Sequence, residues 1–99
     1  MTQLTVVAKI KAKSGSEAAL HQELLQLIPP TLSESGCLNY DLHQSIEDST
    51  LFLFYENWAS KSLWEQHLAS EHMKAFQKNA EGLIETFDIF LMKPEKPMV

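Results

Sequence analysis

The sequence predicts one small α+β domain of ferredoxin-like topology, β-α-β-β-α-β, with a four-stranded antiparallel sheet and the helices on one face. Three observations predict it. The chain opens on a strict two-residue alternation, apolar residues recur at helical spacing in two later stretches, and two strands are apolar on both sides. Its 99 residues suit a single domain with one core, taken as residues 1–99 with 94–99 a short tail.

In the first strand, residues 3–12, Leu4, Val6, Ala8, Ile10 and Ala12 fall on one face and Gln3, Thr5, Val7, Lys9 and Lys11 on the other. Ser14-Gly15-Ser16-Glu17 reads as a Ser-x-x-Glu capping box that opens a helix. Leu20, Leu24, Leu27 and Ile28 then share a helix face, and Pro29-Pro30 is expected to kink or end it. After Ser35-Gly36, Cys37–Ile46 reads as the second strand, Glu47–Thr50 as a turn and Leu51–Trp58 as the third strand. A second helical stretch begins near Lys61, capped by Ser60 or Ser62, is interrupted at Ser70 and runs on to Asn79. Gly82 stops it, and Ile84–Lys93 is the last strand.

An antiparallel sheet with helices on one side would have a polar opposite face in a monomer. Here the third strand carries Leu51, Leu53 and Tyr55 on one side and Phe52, Phe54 and Trp58 on the other. The fourth sets Phe87, Ile89 and Leu91 against Phe90 and Met92. A second apolar face needs a cover, and the simplest is another copy of the same sheet. The expected partner is therefore the chain itself, two sheets closing into a dimeric α/β barrel. Any pocket then lies between the sheet and the second helical stretch.

Composition excludes several classes. The formal net charge is −5, with eight lysines, no arginine and no basic cluster, so no nucleic-acid partner is expected. No apolar run is long enough for a membrane span and no signal peptide is expected at the start. A single cysteine, Cys37, cannot make an internal disulfide, so a reducing, cytoplasmic location is the expectation, with Cys37 a small packed hydrophobe.

The candidate chemistry rests on few residues. His21 reads as solvent-facing and His43 as a strand histidine lining either a cavity or the surface. His67 and His72 are the candidate bases: a neutral imidazole entering a pocket beside Trp64 and Phe76 could take a proton from a phenol, an enol or a hydroxyketone. Equally, both could be hydrogen-bonded groups at a helix junction; on a continuous helix His67 would pair with Glu71. Glu56, between Phe54 and Trp58, either reaches water or is buried, and burial would raise its pKa and make it a proton acceptor or an orienter of a histidine. Tyr40, Tyr55 and Trp58 read as core or interface aromatics. His67 and His72 are five residues apart, which is not one helical face, and no HExxH, CxxC or glycine-rich phosphate loop is present, so neither metal nor cofactor is expected.

Ser35-Gly36-Cys37-Leu38-Asn39-Tyr40, then Tyr55-Glu56-Asn57-Trp58-Ala59-Ser60, then His67-Leu68-Ala69-Ser70-Glu71-His72 with Phe76, resemble the antibiotic biosynthesis monooxygenase domain family across essentially the whole chain. The resemblance implies the dimeric α/β-barrel fold. It also implies a range of activities: cofactor-independent quinol and polyketide oxygenases, haem-degrading enzymes and quorum-signal isomerases. Haem-degrading relatives use an Asn, a Trp and a His where this chain has Ala8, His67 and Gln77, so haem cleavage is not expected. The leading expectation is a cofactor-independent monooxygenase of a small, quinol-like aromatic, with His67, His72 and Glu56 catalytic and Trp64, Phe76 and Tyr40 holding substrate. The alternatives are an isomerase of a small hydroxyketone and a non-catalytic dimeric binding or stress-response module.

Overall fold

The computed structural model describes residues 2–96. Its elements follow in the order β1 (Leu4–Ala12), α1 (Glu17–Leu32), β2 (Cys37–Gln44), β3 (Leu51–Trp58), α2 (Lys61–Leu68), α3 (Glu71–Asn79) and β4 (Ile84–Met92). The four strands form one antiparallel sheet in the order β2-β3-β1-β4, the ferredoxin-like arrangement the alternation predicts.

Burial follows the pleat. Val6, Ala8, Ile10 and Ala12 of β1 and Phe52, Phe54 and Trp58 of β3 pack against the helices with Leu20, Leu24 and Leu27 of α1 and Met73 and Phe76 of α3. On the other face Asn57 is also buried, and its side chain makes three hydrogen bonds. Its Oδ1 accepts from Thr5 Oγ1 at 2.6 Å and Gln3 Nε2 at 3.2 Å, and its Nδ2 donates to Asn39 Oδ1 at 2.9 Å.

The second helical stretch is two helices, giving three among the described residues, because Ser70 ends one and starts the next. Its hydroxyl donates to the His67 carbonyl at 2.6 Å and accepts the Met73 amide at 3.4 Å, capping α3. Ser60, rather than Ser62, caps α2 by accepting the Leu63 amide at 3.3 Å.

Other local expectations are corrected. The Ser14–Glu17 capping box does not form: Gly15, at φ +87°, turns the chain, and the helix starts from Ser16 with no side-chain cap. Helix α1 runs through Pro29 and Pro30 to Leu32. The two prolines leave the Leu25 and Gln26 carbonyls without amide donors, and both residues lie on the exposed side where water can serve. Strand β2 stops at Gln44, not Ile46, because the Ser45 hydroxyl accepts the amides of Glu47 and Asp48 and bends the chain away. Strand β4 ends at Met92 rather than Lys93, residues 94–96 lie in neither helix nor strand, and the rest of the expected tail, 97–99, lies outside the described residues.

One glycine sets the approach of α2 to the rest of the fold. Gly36 sits at φ +87°, and a β-carbon there would collide with the Leu63 side chain. Its carbonyl also accepts the Ala59 amide at 2.8 Å, so the α1–β2 turn and the start of α2 are tied together.

Candidate active site

That tie brings a residue with no local signal into the site. Glu34, in the α1–β2 loop, turns its carboxylate toward the α2–α3 junction. One oxygen, Oε2, accepts from His67 Nδ1 at 2.6 Å and from His72 Nε2 at 2.7 Å. Ser70 Oγ lies 3.2 Å from the same His72 nitrogen. The break at Ser70 makes this possible: His67 closes α2 and His72 opens α3, so two histidines that one continuous helix would splay apart meet at a single oxygen. His67 pairs with Glu34 and not with Glu71, which is exposed and bonded to Lys74. The spacing objection to a shared ligand set lapses with the same break, since the donor atoms of Glu34, His67 and His72 lie within 4.8 Å of one another.

The His67 side chain is only 3% exposed. Its ring is wedged among Trp58, at 4.8 Å between centroids, Tyr40, edge-on at 5.6 Å, and His72 at 5.7 Å. Burial holds its pKa below the ordinary histidine value, with the Glu34 contact opposing that shift. The ring is therefore neutral at pH 7. A neutral imidazole that donates Nδ1–H to a carboxylate carries its lone pair on Nε2, which has no hydrogen-bond partner among the described residues.

His67, Glu56, Tyr40, Trp64 and Phe76 line one cavity of about 30 Å³ between the sheet and the helices, open beside Phe87 and Ile89. His72 lies outside it, in a shallow cleft between α1 and α3. Glu56 is 4% exposed and its Oε1 accepts from Trp58 Nε1 at 3.0 Å. Burial pushes its carboxyl up to about 7; the indole bond works against the rise and the Glu34 charge adds to it. Tyr40 stacks on Phe54 at 4.3 Å, and burial raises its phenol well above the usual range. Cys37 is likewise pushed up to about 11 by burial, so it rests as an unreactive thiol.

The remaining candidates sit apart. His21 is half-buried against Phe52, at 5.3 Å, rather than fully solvent-facing, and His43 is exposed on β2. Both border a wide groove of about 630 Å³ between α1 and β2 that Tyr40 also touches. The groove is roomier and more open than that cavity but holds no buried acid or base. The sequence reading missed Glu34, and it gave Trp58 no part in holding Glu56; only the Trp58-Glu56 proximity was visible in the chain, as two same-face positions of one strand.

The family described as antibiotic biosynthesis monooxygenase matches residues 3–79. The chain belongs to that family. It is similar to PA3566 of Pseudomonas aeruginosa, a solved structure at 38% identity with 97% of each chain covered and a TM-score of 0.93. The Mycobacterium tuberculosis protein named "Putative monooxygenase Rv0793" is 33% identical over 81 residues, 82% of this chain and 79% of that one. Its solved structure shares the fold, with a TM-score of 0.91 over 99% of this chain. The chain is also 33% identical over 54 residues to the human "N-terminal EF-hand calcium-binding protein 1", of which the match spans 15%. Among the described residues no helix is long and apolar enough to cross a membrane.

The raised Glu56 pKa fixes a stability slope. From about pH 4.5 to 7 the unfolded carboxyl ionises while the folded one keeps its proton. The folded state then binds more protons, so this contribution falls as pH rises through the window and is level above it. His67 acts in the opposite sense at lower pH: its depressed pKa costs stability as pH falls below its ordinary value. In urea unfolding, Glu56→Gln should gain about 1–3 kcal/mol on the wild type between pH 4.5 and 7.5; parallel stability curves would contradict the burial of an ionisable Glu56.

Proposed function

We propose that this family member is a cofactor-independent monooxygenase of small electron-rich aromatics of the quinol type, with His67 as the proton acceptor. The observation that carries this reading is a neutral imidazole held by Glu34 through Nδ1 and lining a small cavity walled by aromatic side chains. The orienting carboxylate raises the basicity of Nε2 and keeps the ring from turning.

The chemistry needs no further equipment. Nε2 takes a phenolic proton, and the quinolate gives one electron to dioxygen. The two radicals combine at a ring carbon as a peroxide anion, which takes the proton held by His67. The imidazole then removes the C–H proton at that carbon as the O–O bond breaks, leaving a carbonyl oxygen on the ring. The departing hydroxide takes that proton as water, and the substrate itself supplies the electrons that reduce the second oxygen atom. A cavity of about 30 Å³ seats a molecule the size of dioxygen or water and not a ring. The ring therefore lies at the mouth, beside Phe87 and Ile89, with Trp64, Phe76 and Tyr40 as the apolar wall. His72 acts from outside, by sharing the Glu34 oxygen.

A second reading is favoured by one feature, the presence of both Glu56 and His67 on the same cavity. An acid and a base facing one small space suit proton transfer between two carbons of a hydroxyketone, an isomerisation that consumes no oxygen.

We also propose that the working unit is a homodimer closed through the sheet. Phe87, Ile89 and Leu91 on one side of β4 and Phe90 and Met92 on the other are each 41–52% exposed in the single chain, an apolar surface that a second copy would cover.

Oxygen uptake with a panel of quinols tests the activity. The wild type should consume oxygen in proportion to substrate, and His67→Gln should lower kcat by roughly 10²–10⁴-fold. Equal rates in the two proteins would sink the base assignment, and turnover of a hydroxyketone under nitrogen with solvent deuterium incorporated would favour the isomerase. For the assembly, sedimentation should give a dimer that Phe90→Lys with Met92→Lys converts to monomer; a wild-type monomer at tens of micromolar would overturn it.

A further inference from the structure

Glu34, His67 and His72 supply two imidazole nitrogens and a carboxylate oxygen, the donor types that hold zinc where three protein groups leave one position open. They come from three separate elements, the α1–β2 loop, α2 and α3, and meet on the side of His67 away from the cavity. We propose that they form a binding site for one tetrahedral divalent cation of the zinc class, and that its occupation switches off proton acceptance at the cavity.

The geometry is close to what such an ion requires. At metal–ligand distances of about 2.0–2.2 Å, tetrahedral ligand atoms stand roughly 3.3–3.5 Å apart. The two N···O separations are 2.6 and 2.7 Å, and all three donors lie within 4.8 Å. Drawing Glu34 outward by about 0.7 Å, together with rotation of the two imidazoles that brings their nitrogens to about 3.5 Å, opens the triangle to that span. The adjustment falls on three side chains, one on a loop and two on helices. Access is available because the Glu34 and His72 side chains are 17% and 21% exposed. Ser70 Oγ, beside His72 Nε2, or a water completes the fourth position. Among the described residues no lysine pairs with Glu34, so no resident cation has to be displaced.

The consequence follows from the two-sided chemistry of imidazole. Binding through Nδ1 of His67 and Nε2 of His72 requires the lone pairs there, so the His67 ring moves its proton from Nδ1 to Nε2. The His67 proton now sits on Nε2, the nitrogen that the proposed reaction needs free. A ring that carries a proton there can no longer take one from substrate. The binding site stands independently of the proposed reaction; only the switch rests on His67 being the base.

Chelator-treated full-length protein, titrated calorimetrically with Zn²⁺ and followed in the visible spectrum with Co²⁺, tests both parts. One Zn²⁺ per chain is expected, with an intense tetrahedral Co²⁺ band, and affinity should fall about 100-fold or more in Glu34→Gln and in His72→Asn. His21→Asn and His43→Asn should bind within threefold of the wild type. Circular dichroism checks that each variant is folded; if Glu34→Gln is not, His72→Asn, at a partly exposed side chain, decides. No saturable binding, binding unaffected by Glu34→Gln and His72→Asn, or binding lost in His43→Asn would overturn the site. With a quinol that the wild type oxidises, Zn²⁺ should inhibit at the concentration at which it binds and EDTA should restore the rate. Binding without inhibition overturns the switch and leaves the site standing. If no quinol is oxidised, the reading of His67 as base fails and the switch fails with it, while the calorimetry still decides the site.

Discussion

A single carboxylate oxygen that accepts two imidazole N–H groups holds the site together. Without Glu34, the Nδ1–H of a histidine buried to 3% would face apolar surroundings unpaired, a loss of about 1–3 kcal/mol. With it, the ring keeps one tautomer, and its second nitrogen is left for the cavity. The turn at Gly36 makes the contact possible, since the left-handed backbone there and the missing β-carbon let the α1–β2 loop lie against Leu63 of α2. The Ser70 cap makes it double, by following on α2, which ends one residue past His67 at Leu68, and redirecting α3 so that His72 returns to the same oxygen.

On the cavity side a second polar pair is embedded in apolar packing. Glu56 takes the only strand position between Phe54 and Trp58 on the helix-facing side of β3, and Trp58 gives it one hydrogen bond. Desolvation outweighs that bond, which is why the carboxyl rises to about 7 instead of falling. Two ionisable groups thus share a space that holds one small molecule, one of them neutral by loss of a proton and the other poised to keep one. Such pairs are costly to bury and are characteristic of proton-transfer sites.

The fold was legible in the sequence because its signals are local or periodic. Alternation in β1, helical spacing in α1 and two-sided apolar strands each need only a dozen neighbouring residues to be read. His67, Glu56, Tyr40, Trp64 and Phe76 line the cavity between the sheet and the helices; Tyr40 and Glu56 belong to strand faces that alternation assigns, whereas helical spacing did not decide which of the two histidines would face it. Glu34 was not legible. It lies 33 and 38 positions from its two histidines, in a loop whose course depends on one glycine, and no spacing rule joins them. The pairing of His67 with Glu71 failed because it assumed a continuous helix, and a serine cap is a weak interruption on paper but a complete one in space. Of the two outcomes expected at Pro29-Pro30, a kink or an end, the end does not occur, because the lost hydrogen bonds fall on the wet side of α1, where proline costs least.

The most direct test is the protonation pattern of the His67 ring, read by long-range ¹H–¹⁵N correlation on uniformly labelled protein at pH 7.5. The account predicts a neutral ring protonated on Nδ1, with a strongly deshielded Nδ1 proton that disappears or moves in Glu34→Gln. A ring protonated on Nε2, or a doubly protonated imidazolium, would contradict it.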